Sequence, residues 1–131
     1  MILSSSQSVY QYALKRFINT DVEELHCIAI NNLCGVIDSR MVTRGTVNAC
    51  FAHPRDIFRF AISCNAVSVI IIHNHPSGDV RPSYEDIKLT RRIKKAGQLL
   101  QIPMVDHIIV SPRSYFSFAD SLALTKDHDP N

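Results

Sequence analysis

Apolar residues recur at helical spacing in three stretches of this chain and crowd together at strand spacing in the others. Val9, Tyr12, Ala13 and Phe17 follow the helical repeat behind a polar lead-in at residues 4–8, which predicts an amphipathic helix to about residue 18. Residues 25–30 (Leu-His-Cys-Ile-Ala-Ile) read as a strand, residues 31–35 as a turn, and residues 36–42 as a second strand antiparallel to the first. Arg44-Gly45-Thr46 breaks the chain, and residues 47–51 are expected to form a short third strand. His53-Pro54-Arg55-Asp56 opens a helix, with proline at the first helical position and an acid in the first turn. Ile57, Phe60, Ala61 and Cys64 make its stripe and Phe58 and Ile62 widen it, so this helix should be heavily buried as far as a stop at Asn65.

Residues 67–72 (Val-Ser-Val-Ile-Ile-Ile) are nearly all β-branched, the composition of a strand covered on both faces. A third helix is predicted from Ser83 to about Leu100, with Ile87, Thr90, Ile93, Gly97 and Leu100 facing inward. Gln101-Ile102-Pro103 ends it, residues 104–110 form a further strand and residues 115–118 a last short one. The tail after Leu124 is polar and expected to fray. Strands mixed with about three helices, and no internal repeat or linker, predict one α/β domain over residues 1–131: a sandwich with a mixed β-sheet and helices packed against it.

Bulk properties change this picture little. A hydrophobic fraction of 46% and a charged fraction of 20% suit a globular domain with a real core. A formal charge of +2 neither demands nor excludes a nucleic-acid partner. Cys27, Cys34, Cys50 and Cys64 show no CxxC spacing and lie in or beside apolar segments. With no signal peptide ahead of them, they read as free thiols of a reducing cytoplasm. No apolar run approaches the ~20 residues that span a bilayer.

The chemistry gathers where the β-branched run ends, in Ile72-His73-Asn74-His75-Pro76-Ser77-Gly78-Asp79. Side chains on a strand repeat every two residues, so His73 and His75 point the same way and Asn74 the other. Two converging imidazoles suit zinc, with a third oxygen or nitrogen ligand from a neighbouring loop or helix. Asp86 is the natural candidate, because Pro82 and Ser83 set a helix start that places it in the first turn. Three protein ligands leave a fourth position for water, the arrangement of a catalytic site, in which zinc lowers the water pKa toward ~7.

The order His73-x-His75, seven residues, Ser83-x-x-Asp86 resembles the JAB/JAMM (MPN-plus) metallohydrolase signature at every defining position. The words HNHPSGD, PSxxD and DHIIV resemble its RadC-like branch, and the likeness runs from about Ser6 to Phe118. The resemblance implies a JAB/MPN-like (cytidine-deaminase-like) α/β sandwich holding one zinc on His73, His75 and Asp86. It implies hydrolysis of an amide or isopeptide bond in a peptide or protein substrate. It also implies a glutamate acting as general base from the preceding structural unit: Glu24, seven residues ahead of Asn31, with Glu23 as runner-up because a one-residue slip changes face. Ser83 would help hold the oxyanion, against the competing reading of a helix cap. Ser77 and Asp79 are placed beside the ligands to orient imidazole N–H groups, together with His107, for which a satisfied core histidine is the commoner outcome.

A binding module is the alternative, since RadC-like proteins carry a DNA-repair association and a nuclease is chemically open to a zinc site. Lys88, Arg91, Arg92 and Lys95 form a basic row on the outer face of the third helix, where DNA would bind. At 131 residues the chain has no room for the helix-hairpin-helix-like region that often precedes the domain in that branch.

Overall fold

The computed structural model describes residues 1–45 and 52–121. Its elements are α1 (Ser6–Arg16), β1 (Glu24–Ile30), β2 (Val36–Arg44), α2 (Pro54–Ser63), β3 (Ser68–Asn74), α3 (Tyr84–Leu100), β4 (Met104–Val110) and β5 (Tyr115–Ser117). The strands form one sheet in the order β2-β1-β3-β4-β5. Pairing is antiparallel except between β3 and β4, which run parallel and are joined through α3. This is the mixed α/β architecture expected of a JAB/MPN-like domain. The strand expected at residues 47–51 and the tail after Leu124 lie outside the described residues.

Alternation along the strands divides the core into two layers. Leu25, Cys27, Ala29, Val69 and Ile71 face α2 and α3 together with Phe58, Phe60, Leu89 and Ile93. Ile28, Ile30, Ile70, Ile72, Ile108 and Val110 face α1 with Val9, Tyr12 and Ala13. β3 is therefore buried along its whole length, as its β-branched composition requires. The site-bearing strand is thus the central strand of the sheet, clamped from both sides.

Two helices sit differently from their predicted stripes. In α2, Ile62 is 54% exposed instead of widening the buried face. In α3, Leu89 is buried, Ile87 is half-buried and Leu100 is 44% exposed. Asp86 takes an inward position, which rotates the docked face to Asp86, Leu89, Thr90, Ile93 and Gly97. The chain then turns back tightly after α3. Gln101 takes a left-handed φ of 59°, Ile102 N–H donates to Gly97 C=O at 2.9 Å, and a Cβ on Gly97 would stand 2.6 Å from Ile102 O. Glycine at 97 is what lets β4 start directly against the helix it leaves.

Candidate metal centre

β3 ends in the sheet's interior with His73 still on the face shared by Ile71 and Leu25. Its side chain is 1% exposed. Nε2 lies 3.3 Å from Glu23 Oε2, and Nδ1 lies 3.3 Å from Asp86 Oδ1. His75 follows just past the strand, where its N–H donates to Val110 C=O at 3.1 Å and holds it in line with β4. The two imidazoles meet edge-on, with centroids 4.8 Å apart at 88°.

The bonds fix the tautomer of His75. Asp79 C=O can only accept, so His75 Nδ1 carries the hydrogen that it donates at 2.8 Å. Nε2 then faces Asp86 Oδ2 at 3.2 Å. The carbonyl of Asp79 performs the orienting task expected of that residue; its carboxylate points outward to Arg81 at 2.6 Å, which lowers its pKa to about 2. Ser77 serves the turn instead of an imidazole: its Oγ accepts from Asp79 N–H at 3.3 Å, and Gly78 supplies the positive φ of 90°.

Asp86 occupies the third position of α3 and is 3% exposed. Its Oδ2 accepts Ser83 N–H at 2.8 Å, and Ser83 Oγ accepts Asp86 N–H at 3.0 Å, closing a reciprocal cap. Ser83 therefore caps α3, while its hydroxyl hydrogen is not used by that cap. Burial pushes the Asp86 carboxyl up, but the His75 hydrogen bond, the charge at His73 and the two Ser83 bonds outweigh it and hold the group below the ordinary carboxylate range. The same hydrogen bond to Asp86 raises His75 against the lowering effect of its own burial.

The glutamate at this site is Glu23, not Glu24 as expected. Its carboxylate and the ring nitrogens of His73 and His75 all lie within 4.8 Å of one another. Glu24 turns to the opposite face, where its carboxylate meets His26 Nε2 at 3.0 Å and Arg44 Nε at 3.6 Å. Register explains the exchange. Leu25 pairs with His73 across β1 and β3, so odd-numbered positions of β1 share the histidine's face and even-numbered ones face α1. Both faces of β1 are apolar, and sequence alternation therefore carries no signal of which is which.

His107 lies behind His73, fully buried, with ring centroids 6.0 Å apart and Phe118 stacked on its far side at 4.8 Å. Thr90 spends its hydroxyl hydrogen on Asp86 C=O at 2.7 Å, so His107 Nδ1–H is the donor in the 2.6 Å bond to Thr90 Oγ1. His107 thus supports the first turn of α3 through Thr90 and bonds neither imidazole. Its Nε2 has no hydrogen-bond partner. Burial first, and then the neighbouring His73, push its pKa down to about 3. Asp106, its chain neighbour, accepts from Ser117 Oγ and Ala119 N–H and ties β4 to the end of β5 and the residues just after it.

A folded pKa below the unfolded one makes the unfolded chain the stronger proton acceptor below pH ~6.5. His107 should therefore weaken the metal-free fold as pH falls from there. Relative to His107→Asn, wild type should lose about 1.4 kcal/mol of stability per pH unit, or roughly 2 kcal/mol between pH 6.5 and 5. Urea midpoints measured with chelator across that range check this; parallel curves for the two proteins would refute it.

The donor set fits a divalent metal. Imidazole nitrogens and carboxylate oxygens are zinc's usual hard-to-borderline ligands. His73 Nδ1 is buried without a hydrogen bond, 3.3 Å from a carboxylate oxygen, as expected of a pocket arranged for a cation. Beside it opens a cleft of about 370 Å³ lined by Asp21, Val22, Glu23, Gly45, Pro76 and Ser77. Lys88, Arg91, Arg92 and Lys95 lie on the exposed side of α3. Among the described residues, no helix is long and apolar enough to cross a membrane.

The family model described as the RadC-like JAB domain matches residues 3–123. A UPF0758 protein of Thermotoga maritima is 45% identical over 118 residues, covering 90% of this chain and 53% of the relative. UPF0758 proteins of Symbiobacterium thermophilum and Chlorobaculum parvum are 39% and 41% identical over 94% and 90% of the chain. The chain spans about half the length of these curated relatives, 53% in each of the three. With its mixed five-stranded sheet, three helices and a histidine–histidine–glutamate cluster at the end of the central strand, the chain belongs to the RadC-like JAB domain family.

Proposed function

We propose that this domain is a zinc-dependent hydrolase that cleaves an amide or isopeptide bond in a peptide or protein substrate. The observation that carries the proposal is Glu23: a half-buried carboxylate within 4.8 Å of both histidine donors, at the mouth of an open cleft. His73, His75 and Asp86 would hold the metal. When bound, zinc supplies Lewis acidity, polarising a carbonyl and acidifying water.

The chain's own residues supply the rest. Glu23 takes the proton from the attacking water and passes it to the leaving nitrogen, a task suited to a carboxylate within hydrogen-bond reach of the ligands. Asp79 C=O keeps His75 in the tautomer whose Nε2 is free to ligate. The Ser83 hydroxyl, whose lone pair the helix cap occupies, donates its hydrogen toward the charge that develops on the substrate oxygen.

Elemental analysis and a substrate panel test this reading. About one zinc per chain is expected in wild type and little in His75→Ala. Zinc-loaded wild type should cleave an Nε-(glycylglycyl)-lysine isopeptide and leave bis-p-nitrophenyl phosphate intact. A wild type that stays empty when offered zinc, or cleaves only the phosphodiester, would overturn it. The exposed basic row on α3 favours a second reading, a nucleic-acid contact. A steep salt dependence of DNA binding that weakens with Lys88→Ala would support that reading.

A further inference from the structure

Asn74 stands between the two histidines and points to the opposite face of β3, 2% exposed. Its amide is fully engaged. Nδ2 donates to Asn19 C=O at 2.6 Å and to Val22 C=O at 3.0 Å, and Oδ1 accepts Glu24 N–H at 2.6 Å. Two acceptor carbonyls and one donor amide fix which atom is nitrogen and which is oxygen.

These partners flank Glu23. Val22 C=O belongs to the peptide group before it, and Glu24 N–H to the peptide group after it. Peptide groups are planar, so holding both sets the φ and ψ of residue 23 and with them the direction of its Cα–Cβ bond. Gly45 N–H adds a bond to Glu23 C=O from the β2 side at 2.8 Å. On the stretch before it, Asn19 Oδ1 accepts Asp21 N–H and Val22 N–H at 2.8 and 3.2 Å. The His73 side chain also reaches this segment, with Nε2 3.3 Å from Glu23 Oε2, but it meets the carboxylate and not the backbone that aims it.

We propose that Asn74 is a positioning residue that acts through Glu23: one amide ties both peptide groups around the general base to the strand bearing the metal ligands. This rests on the hydrolase reading above for its catalytic consequence, but not for its structural one. A misplacement of about 1 Å in a catalytic group costs on the order of 10²-fold in rate. The three hydrogen bonds of the Asn74 side chain act against such a misplacement here.

The experiment compares wild type with Asn74→Ser, which is too short to reach the three partners, and Asn74→Asp, which keeps the acceptor and loses both donors. Three quantities are read: exchange of the Glu24 amide, zinc affinity, and kcat and KM on the isopeptide probe. In Asn74→Ser, Glu24 amide exchange should rise at least ~10-fold with zinc affinity within about 3-fold of wild type, because His73, His75 and Asp86 are untouched. In both variants kcat should fall about 10²-fold with little change in KM. Combined with Glu23→Gln, Asn74→Ser should cost less than about 3-fold more, since a residue acting through Glu23 has nothing left to position. Unchanged Glu24 exchange in Asn74→Ser, zinc lost in step with activity, or an additive double variant would overturn the proposal. Exchange and zinc binding need no turnover. A wild type that binds zinc and cleaves no isopeptide overturns the hydrolase reading, and these two readouts then decide the positioning role alone.

Discussion

Glu23→Gln is expected to keep its zinc and lose kcat by about 10²–10⁴-fold, the range for removing a general base. Glutamine preserves the shape and the hydrogen-bonding reach of the side chain but cannot take a proton. The neighbouring substitution is the control. Glu24→Gln should retain activity within a few-fold, because the Glu24 carboxylate faces His26 and Arg44 on the α1 side of the sheet. Its cost should appear as stability instead, about 1 kcal/mol for weakening a hydrogen bond in a largely buried pair. Steady-state kinetics with metal content measured on the same samples separates the two. If Glu24→Gln were the inactive variant, the parity that Leu25 and His73 impose would not govern the site. If Glu23→Gln lost the metal, Glu23 would be a ligand and not the base.

Asp86→Asn is expected to abolish tight zinc binding and to weaken the metal-free fold. Asparagine can still accept Ser83 N–H, so the cap of α3 survives while the charge between His73 and His75 goes. In wild type, zinc at 100 times its Kd should add about 2.7 kcal/mol of stability, and in the variant next to none. Removing one partner from a buried ion pair costs about 3 kcal/mol in the metal-free protein. That cost should depend on pH in a stated way. Asp86 has a lowered pKa, so its contribution is present above its ordinary value near 4 and lost on acidification below it. His75 has a raised pKa, so its contribution is complete below about 6.5 and lost as pH rises through the folded value. The difference between wild type and Asp86→Asn should therefore be greatest between about pH 4 and 6.5. Denaturation with chelator across pH 3–9 reads this directly; a difference that grows toward alkaline pH would contradict the pairing.

Much of the site was legible as one-dimensional spacing. His73 and His75 share a face because strand side chains alternate, and Asp86 turns back to them because Pro82 and Ser83 start a helix there. Each inference spans a few residues and needs only local geometry. The glutamate that meets the histidines did not yield to the same reasoning. Glu23 and Glu24 are adjacent, both precede a strand that is apolar on both faces, and only pairing with β3 shows which one meets His73. The inward stripe of α3 departs from the one its apolar spacing predicts, for a related reason. Leu100 was expected to be buried and Leu89 was not, because the rotation of the helix is set by Asp86 docking at the histidines and not by the apolar residues alone.

Asn74 shows the same division at a single residue. Its position between the histidines assigns it to the opposite face, but no pattern along the chain connects it with Asn19, Val22 and Glu24, some fifty residues away. By itself the sequence determined the types of the described elements, the central buried strand and the ligand candidates, since these follow from periodicity, capping and short motif spacing, and its motifs carried the resemblance to the family. Tertiary structure alone decided which glutamate enters the site, which carbonyl orients His75 and which amide holds the two halves of the site in register. Those choices depend on strand pairing across long separations, where a shift of one residue exchanges one face of a strand for the other.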